Sequence, residues 1–268
     1  MQTAQERQSG GAPVMAAPQF PDLKGRTVFI TGGGSGIGAE FTRAFARQGA
    51  KVAFVSLRRE VADKLCDEVE RETEARPFYL PCDIRDTAAL QDAIASAAEA
   101  LGPISILINN AARDTRHTLA SMGADEWDNL LNTNLRPYFF TSQAVQPAMT
   151  RLGYGSIINM GSNSANMGLT GYPAYVASKA AIVGMTKALA RELGPANIRV
   201  NALISGWVLT ARQKQLWATE EAVAECLQQQ SLKTALTEQD IAHTALFLAS
   251  DAAAMITGQS IIVDGGRV

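Results

Sequence analysis

Short apolar runs alternate with longer segments of helical period from residue 24 onward, and this alternation limits the fold more than any other feature. Several of the short runs are too apolar to leave one face in water, which is typical of a parallel sheet covered on both sides. Seven runs are predicted strands: 26–31, 51–56, 77–81, 104–109, 156–160, 198–203 and 260–264. Predicted helices between them cover 38–48, 60–73, 87–100, 127–149, 174–193 and 239–249. The pattern therefore predicts an α/β fold with one doubly wound, seven-stranded parallel sheet flanked by helices.

The first 21 residues differ in composition from the rest of the chain. They are rich in Gln, Gly, Ala and Pro, and they have neither the apolar run of a signal peptide nor an Arg-rich amphipathic pattern. We expect a disordered N-terminal extension at 1–21 and a single domain at 22–268, because no linker or internal repeat divides the remainder. Proline disrupts a helix interior, so we expect Pro137 to kink the predicted helix 127–149 and Pro147 to end it.

Charge and residue counts exclude several classes of function. Lys and Arg number 24 against 26 Asp and Glu, a formal net charge of −2, so no basic excess exists to bind nucleic acid. No run of roughly 18 consecutive apolar residues occurs, so we expect no membrane-spanning helix. The 3 cysteines lack paired spacings and there are only 2 histidines, so we expect no catalytic metal. The cysteine usage suits a reducing, cytoplasmic setting.

The first predicted strand runs directly into a glycine-rich segment, Gly32-Gly33-Gly34-Ser35-Gly36-Ile37-Gly38, and then into a helix. In this context glycines let the backbone approach a pyrophosphate, and the free amides of the helix start attract its negative charge. The spacing of Gly32, Gly36 and Gly38 departs from the commoner G-x-G-x-x-G. A dinucleotide site is predicted here, with an ordinary tight turn as the alternative.

The residues after the second strand bear on the choice of cofactor. In dinucleotide folds an acidic residue at this strand end binds the adenosine ribose, whereas an arginine accommodates a 2′-phosphate. Here Ser56 ends the strand and Arg58 follows it, with no carboxylate between them. This favours NADP, with NAD possible, unless Arg58 is merely a solvated residue of the next helix. Asp83 and Ala111, after the third and fourth strands, are expected on the adenine and ribose side.

A tyrosine and a lysine share one helix face in the segment Tyr172-Pro173-Ala174-Tyr175-Val176-Ala177-Ser178-Lys179. Proline favours the first helical position, so Tyr172 is expected outside the helix, with Tyr175 and Lys179 four residues apart inside it. A phenol is a poor base at neutral pH, but a neighbouring ammonium lowers its pKa and favours the phenolate. Tyr175 is therefore the predicted acid/base, although such a pair also occurs by chance.

Together these motifs resemble those of the short-chain dehydrogenases/reductases. The resemblance covers Lys24 to Val268 and rests on Thr31-Gly-Gly-Gly-Ser-Gly-Ile-Gly38, Asn109-Asn110-Ala111-Ala112, Asn134, Ser162 and Tyr175-x-x-x-Lys179. It implies a Rossmann fold and the use of a nicotinamide cofactor. It also implies that Tyr175 is the acid/base, that Lys179 lowers its pKa and holds the nicotinamide ribose, and that Ser162 orients the substrate oxygen. Asn134 would support a proton relay through water.

The resemblance also assigns the residues that bind the cofactor. They are Gly32, Ser35, Gly36, Ile37, Gly38, Ser56, Arg58, Asp83, Ile84, Asn110, Ala111, Tyr175, Lys179, Val208 and Thr210. Two positions depart from the family pattern: Ala112 replaces a glycine after Asn-Asn-Ala, and Ser205 replaces the proline before Gly206. Neither replacement removes a catalytic group.

Within the family the sequence is similar to bacterial sugar dehydrogenases of the D-xylose 1-dehydrogenase kind. The shared features are Asp114-x-Arg116-His117, Asn134-Leu135-Arg136 and Thr210-x-Arg212-Gln213 with Trp217 behind. A sugar pocket needs hydrogen-bonding groups for hydroxyls and an aromatic face for C–H surfaces. The candidates are Arg116, His117, Asn163, Trp207, Arg212 and Trp217, the two tryptophans having core or lid packing as an alternative.

The resemblance implies oxidation of an aldose at C1 to a lactone, by a homotetramer that acts on a small sugar. The alternative is a reductase of another carbonyl compound, such as a 3-oxoacyl thioester. A non-catalytic dinucleotide sensor could lose Ser162, Tyr175 or Lys179 without penalty, yet all three are present.

Overall fold

A computed structural model describes residues 17–268 of the chain. The predicted disordered extension therefore falls largely outside the described residues and stays a prediction there. Of its last residues, Phe20 N donates to Gln48 Oε1 at 2.8 Å, and Gln48 Nε2 donates to Pro18 O at 3.0 Å. Contacts with the domain thus begin before the predicted boundary at residue 22, because the side chain of Gln48 holds this stretch of backbone.

Seven parallel strands form one sheet in the described residues, as the apolar runs predict. They are β1 Thr27–Thr31, β2 Lys51–Ser56, β3 Phe78–Pro81, β4 Ile104–Asn109, β5 Gly155–Ser162, β6 Ile198–Ser205 and β7 Ser260–Val263. The spatial order is β3-β2-β1-β4-β5-β6-β7, so the order reverses between β1 and β4. Ligands of open α/β sheets bind beyond the carboxyl ends of the strands near such a reversal. β5 and β6 are longer than predicted, and their last pair is Ser162 with Ser205.

Helices cover both faces of the sheet. Their bounds are α1 Gly36–Arg47, α2 Arg59–Thr73, α3 Thr87–Leu101, α4 Ala124–Asn134, α5 Arg136–Leu152, α6 Asn163–Met167, α7 Pro173–Leu193, α8 Ala211–Leu216, α9 Glu220–Gln229 and α10 Glu238–Ala249. Alternate strand residues enter two apolar layers: Ile30 packs with Phe41 of α1, and Phe29 packs in the layer that contains Leu90 of α3. This two-sided burial explains why the strands read as nearly continuous apolar runs.

The prediction of one continuous helix over 127–149 is wrong, because the structure has two helices there, α4 and α5. Leu135 leaves helical geometry with φ −125° and ψ −53°, and Pro137 follows in the first turn of α5. Proline suits this position since its missing amide hydrogen has no partner in the first turn. Pro147 lies inside α5 and does not end it. The short helices α6, α8 and α9 were not predicted.

Within residues 17–268 no helix combines the length and the apolar character that crossing a bilayer requires. The same residues contain no cluster of three or more His, Cys, Asp or Glu side chains suited to hold a metal ion.

Candidate active site

A cavity of about 510 Å³ opens beyond the carboxyl ends of β5 and β6. Its lining includes Ser162 and Tyr175 of the predicted catalytic group and Arg116, Asn163, Trp207 and Trp217 of the predicted substrate group. Ile37, Val208 and Thr210 of the predicted cofactor group also line it. The fold thus brings residues from most of the chain to one place.

Ser162 joins the end of β5 to the start of α6. Its Oγ lies 2.8 Å from Ser164 Oγ and accepts a hydrogen bond from Ser164 N at 3.3 Å, so it caps the short helix. Its hydroxyl also lies beside that of Tyr175 and acts to lower the pKa of Tyr175. Ser162 is therefore fixed by the helix it caps while its oxygen faces Tyr175.

Helix α7 presents Tyr175 to the cavity. Pro173 is its first residue and Tyr172 lies just outside it, as predicted, with the Tyr172 ring 5.3 Å from the Tyr175 ring. Burial raises the pKa of Tyr175 above its ordinary value of 10.0, whereas the Ser162 hydroxyl and the charge of Arg116 act in the opposite direction.

Lys179 lies one turn further along α7 and is buried. Its Nζ donates to Met160 O at 2.7 Å and to Tyr138 Oη at 3.2 Å, and it lies 5.7 Å from the centre of the Tyr175 ring. Burial lowers the pKa of Lys179 from 10.5 to about 7. That the ammonium lowers the pKa of Tyr175 stays a prediction: burial of Tyr175 raises its pKa, and burial of Lys179 favours the uncharged amine.

Asn134 is fully buried at the end of α4, outside the cavity lining. Its Oδ1 accepts from Arg113 N at 2.7 Å, and its Nδ2 donates to Arg113 O at 2.8 Å. In an unbroken helix Tyr138 N would donate to the carbonyl of Asn134. At the break it donates to Leu135 O instead, at 3.1 Å. The side chain of Asn134 thus holds the segment after β4, and its carbonyl lies at the break.

The glycine-rich loop between β1 and α1 packs tightly against the start of the helix. A Cβ at Gly38 would lie 2.0 Å from Gly32 O, and Gly32 itself has a φ of +68°, which favours glycine. Asn110 fixes the loop from the neighbouring strand, since its Nδ2 donates to Thr31 O at 3.0 Å. This close packing of backbone at a helix N-terminus fits a pyrophosphate.

The predicted adenosine side of the cofactor site lies at the ends of β2 and β3. Ser56 faces the loop, because a Cβ at Gly34 would lie 2.8 Å from its Oγ, and the side chain of Arg58 is exposed at the start of α2. Asp83 accepts hydrogen bonds from the Arg85 guanidinium, which holds the pKa of Asp83 below its usual range. Ile84 packs against the core layer on the α3 side.

Arg116 stands at the cavity between two aromatic rings. Its guanidinium carbon lies 3.9 Å from the centre of the Tyr172 ring and 5.1 Å from that of Trp217. It forms no salt bridge with a carboxylate among residues 17–268. A guanidinium stacked in this way keeps its N–H edges available for hydrogen bonds.

Arg212 is placed differently from the prediction. It does not line the cavity but pairs with Asp114, its Nη2 lying 3.2 Å from Asp114 Oδ1. Gln213 does line the cavity, and its Nε2 donates to the other oxygen of Asp114 at 2.9 Å while its Oε1 accepts from Trp207 Nε1 at 2.9 Å. These bonds tie α8 to the segment after β4, so Arg212 serves that connection.

His117 is also placed differently from the prediction, since it is buried and absent from the cavity lining. Its Nδ1 lies 3.0 Å from Thr115 O, and its Nε2 accepts from Ala174 N at 3.1 Å. Because both ring nitrogens have partners in the protein, His117 is not available to bind a sugar hydroxyl.

Several cavity residues were missed by the sequence reasoning, among them Tyr172, Gln213, Glu225 and Arg267. For Gln213 a signal existed: Thr210 accepts a hydrogen bond from Gln213 N and caps α8, a start pattern readable from Thr followed three residues later by Gln. Glu225 and Arg267 come from α9 and the chain end, which no local pattern brings to the cavity.

Comparisons with known proteins identify the family of this chain. A family profile described as "Enoyl-(Acyl carrier protein) reductase" matches residues 32–267. A "Probable galactose dehydrogenase" of Rhizobium meliloti (strain 1021) is 46% identical, covering 94% of this chain and 98% of its own length. A D-xylose 1-dehydrogenase of Caulobacter vibrioides is 42% identical over 94% of this chain and 99% of its own. A provisionally named short-chain alcohol dehydrogenase from Sinorhizobium meliloti 1021 superposes with a TM-score of 0.88 at 35% identity, covering 92% of this chain and 98% of that one. The chain thus belongs to the short-chain dehydrogenase/reductase family of nicotinamide-dependent oxidoreductases.

Proposed function

We propose that this chain oxidises an aldose at C1 to the corresponding lactone. The observation that carries the proposal is the cavity in which Ser162 and Tyr175 face polar and aromatic side chains rather than an apolar channel. The resemblance to a galactose dehydrogenase and a D-xylose 1-dehydrogenase supports a sugar as the substrate.

Tyr175 is the proposed base. Its phenolate takes the proton of the C1 hydroxyl, and the Ser162 hydroxyl donates a hydrogen bond to the substrate oxygen, which keeps that oxygen oriented. When bound, an oxidised nicotinamide would supply the acceptor for the hydride that leaves C1. Because the proton and the hydride leave in the same step, no net charge accumulates on the sugar.

Lys179 and Asn134 support this proton transfer. Lys179 is held by Met160 O and Tyr138 Oη, so its ammonium has a fixed position beside Tyr175, from which it would hold the ribose of the cofactor. The carbonyl of Asn134 lies at the break between α4 and α5, where it can accept a hydrogen bond from a water. We propose that such a water carries the proton onward to solvent.

Substrate selection is assigned to the cavity wall away from Tyr175. Arg116 presents N–H groups to ring hydroxyls, and Asn163, buried beside Asp264, contributes an amide. Trp207 and Trp217 offer aromatic faces to C–H surfaces of the sugar. A site built to bond a hydroxyl discriminates strongly against an analogue that lacks it, because its own polar groups are then left unpaired.

NADP is the proposed cofactor of choice, because Arg58 is exposed beside Ser56 and no acidic residue stands at this strand end. We further propose a homotetramer working in the cytoplasm. The exposed Trp127 of α4 and Phe139 of α5 offer apolar surface for subunit packing. The three described cysteines are free thiols, as a reducing compartment allows.

A rate screen tests the substrate class. Purified protein is assayed with pentoses, hexoses and 6-deoxyhexoses, each with NAD and NADP, and in the reverse direction with a 3-oxoacyl thioester. We expect an aldopentose or a 6-deoxyaldohexose to give the highest kcat/KM. The rival is a reductase of 3-oxoacyl thioesters, and turnover of the thioester without turnover of any aldose would establish it instead.

A further inference from the structure

The start of helix α7 is held at three successive points by the loop that follows β4. His117 N donates to Gly171 O at 2.9 Å, and Ala174 N donates to His117 Nε2 at 3.1 Å. Between these bonds, the Arg116 guanidinium stacks 3.9 Å from the centre of the Tyr172 ring. The loop therefore holds the residues just before Tyr175 in place through both main-chain and side-chain contacts.

The hydrogen bonds of His117 determine the form of its ring. Thr115 O can only accept, so Nδ1, 3.0 Å away, carries the hydrogen. Nε2 is then an acceptor, and it receives the amide hydrogen of Ala174. Amides of a first helical turn have no partner inside the helix, and Tyr172 at the cap position makes no side-chain capping bond. The His117 ring thus caps α7 in place of the residue that would ordinarily do so.

We propose that His117 is a positioning residue for the reaction. Ala174 directly precedes Tyr175, so the bond from Ala174 N to His117 Nε2 sets the first turn of α7 and with it the Tyr175 hydroxyl against Ser162. The inference rests on the proposed role of Tyr175 as the acid/base. A displacement of about 1 Å at a reacting group lowers a rate by up to about a hundredfold.

Two variants with amide side chains distinguish the roles of the two ring nitrogens of His117. In His117→Gln the side-chain Oε1 can accept from Ala174 N, whereas in His117→Asn the shorter amide can donate to Thr115 O but does not reach Ala174. We expect kcat of His117→Gln to stay within about threefold of wild type. For His117→Asn we expect kcat to fall by about ten- to a hundredfold with the KM for the cofactor unchanged.

Separate control variants test for a general effect of the substitution and for the proposed role of Tyr175. His243→Asn changes an exposed histidine of α10 in the same way and should leave kcat unchanged. A folded His117→Gln protein that loses tenfold or more in kcat, or equal kcat in the Gln and Asn variants, would overturn the positioning role. If Tyr175→Phe retains the wild-type rate, the proposed acid/base fails. If Tyr175→Phe is inactive while the two His117 variants behave alike, only the positioning role fails.

Discussion

Lys179 gives a sharp test of how this site is built, because its ammonium is buried at a cost in stability. Burial lowers the pKa of Lys179 from 10.5 to about 7, so folding releases a proton between these pH values. The free energy of unfolding of the wild type should therefore rise as the pH increases from about 7 to 10.5, and the burial penalty is fully present below pH 7.

The magnitude follows from the same pKa and from the two hydrogen bonds. A pKa of about 7 against 10.5 corresponds to at most about 5 kcal/mol of unfolding free energy. Lys179→Met removes the bonds to Met160 O and Tyr138 Oη, and their loss, at about 1.5–3 kcal/mol for a bond to a charged group, offsets part of the gain in stability. In Lys179→Met the Tyr138 hydroxyl can still donate to Met160 O, 3.3 Å away. We expect Lys179→Met to be more stable than wild type by about 1–3 kcal/mol at pH 7, with kcat reduced by about 10² or more.

The assay is reversible urea unfolding of both proteins at pH 7 and pH 10, at one protein concentration. Lys187→Met replaces an exposed lysine of the same helix and should change stability little at either pH. The gain in stability of Lys179→Met should shrink towards zero at pH 10, because Lys179 of the folded wild type is then already an uncharged amine. A variant less stable than wild type at pH 7, or a gain of equal size at both pH values, would refute the reasoning.

Tyr175→Phe should lower kcat by about 10²–10⁴ with cofactor binding nearly intact, while Tyr172→Phe does far less; steady-state kinetics that find Tyr172→Phe the more damaging would reverse the assignment. Arg58→Ala should lower kcat/KM with NADP and leave that with NAD nearly unchanged, and a wild-type preference for NAD would contradict the assigned role of Arg58. Arg116→Ala should move the midpoint of the oxidation pH–rate profile upward, because the Arg116 charge acts to lower the pKa of Tyr175 and the base must be deprotonated to react. The same variant should bring the rates on the best sugar and on one deoxy analogue together; an unchanged ratio would remove Arg116 from substrate selection.

Much of the fold could be predicted because the signals are local. The strands are apolar runs buried on both faces, and a strand such as β1 ends where Gly32 follows Thr31. The break after Asn134 was missed because Pro137 was interpreted as a kink, whereas the chain uses it to begin a new helix. Proline in this segment predicts a disturbance of the helix, but whether Pro137 kinks one helix or begins a second depends on how α4 and α5 pack.

In the site, too, the residues placed by local spacing could be predicted, whereas those placed by long-range contacts could not. Tyr175 and Lys179 are four apart on one helix, so the sequence alone places them together. His117 and Arg212 were assigned to the substrate, but their partners come from distant parts of the chain: Ala174 is 57 residues from His117, and Asp114 is 98 residues from Arg212. Whether a polar side chain faces a ligand or the protein depends on such contacts, and no spacing within the sequence reports them.

The proposed hydride transfer from C1 can be measured directly with an aldose deuterated at that carbon. With the wild-type protein, we expect a primary isotope effect on kcat/KM, deuterium in the reduced nicotinamide and a lactone as the first product. Tyr175→Phe should form the labelled product at a rate lower by about 10²–10⁴. Deuterium that remains in the sugar while the nicotinamide is reduced would show that another carbon is oxidised and would contradict oxidation at C1.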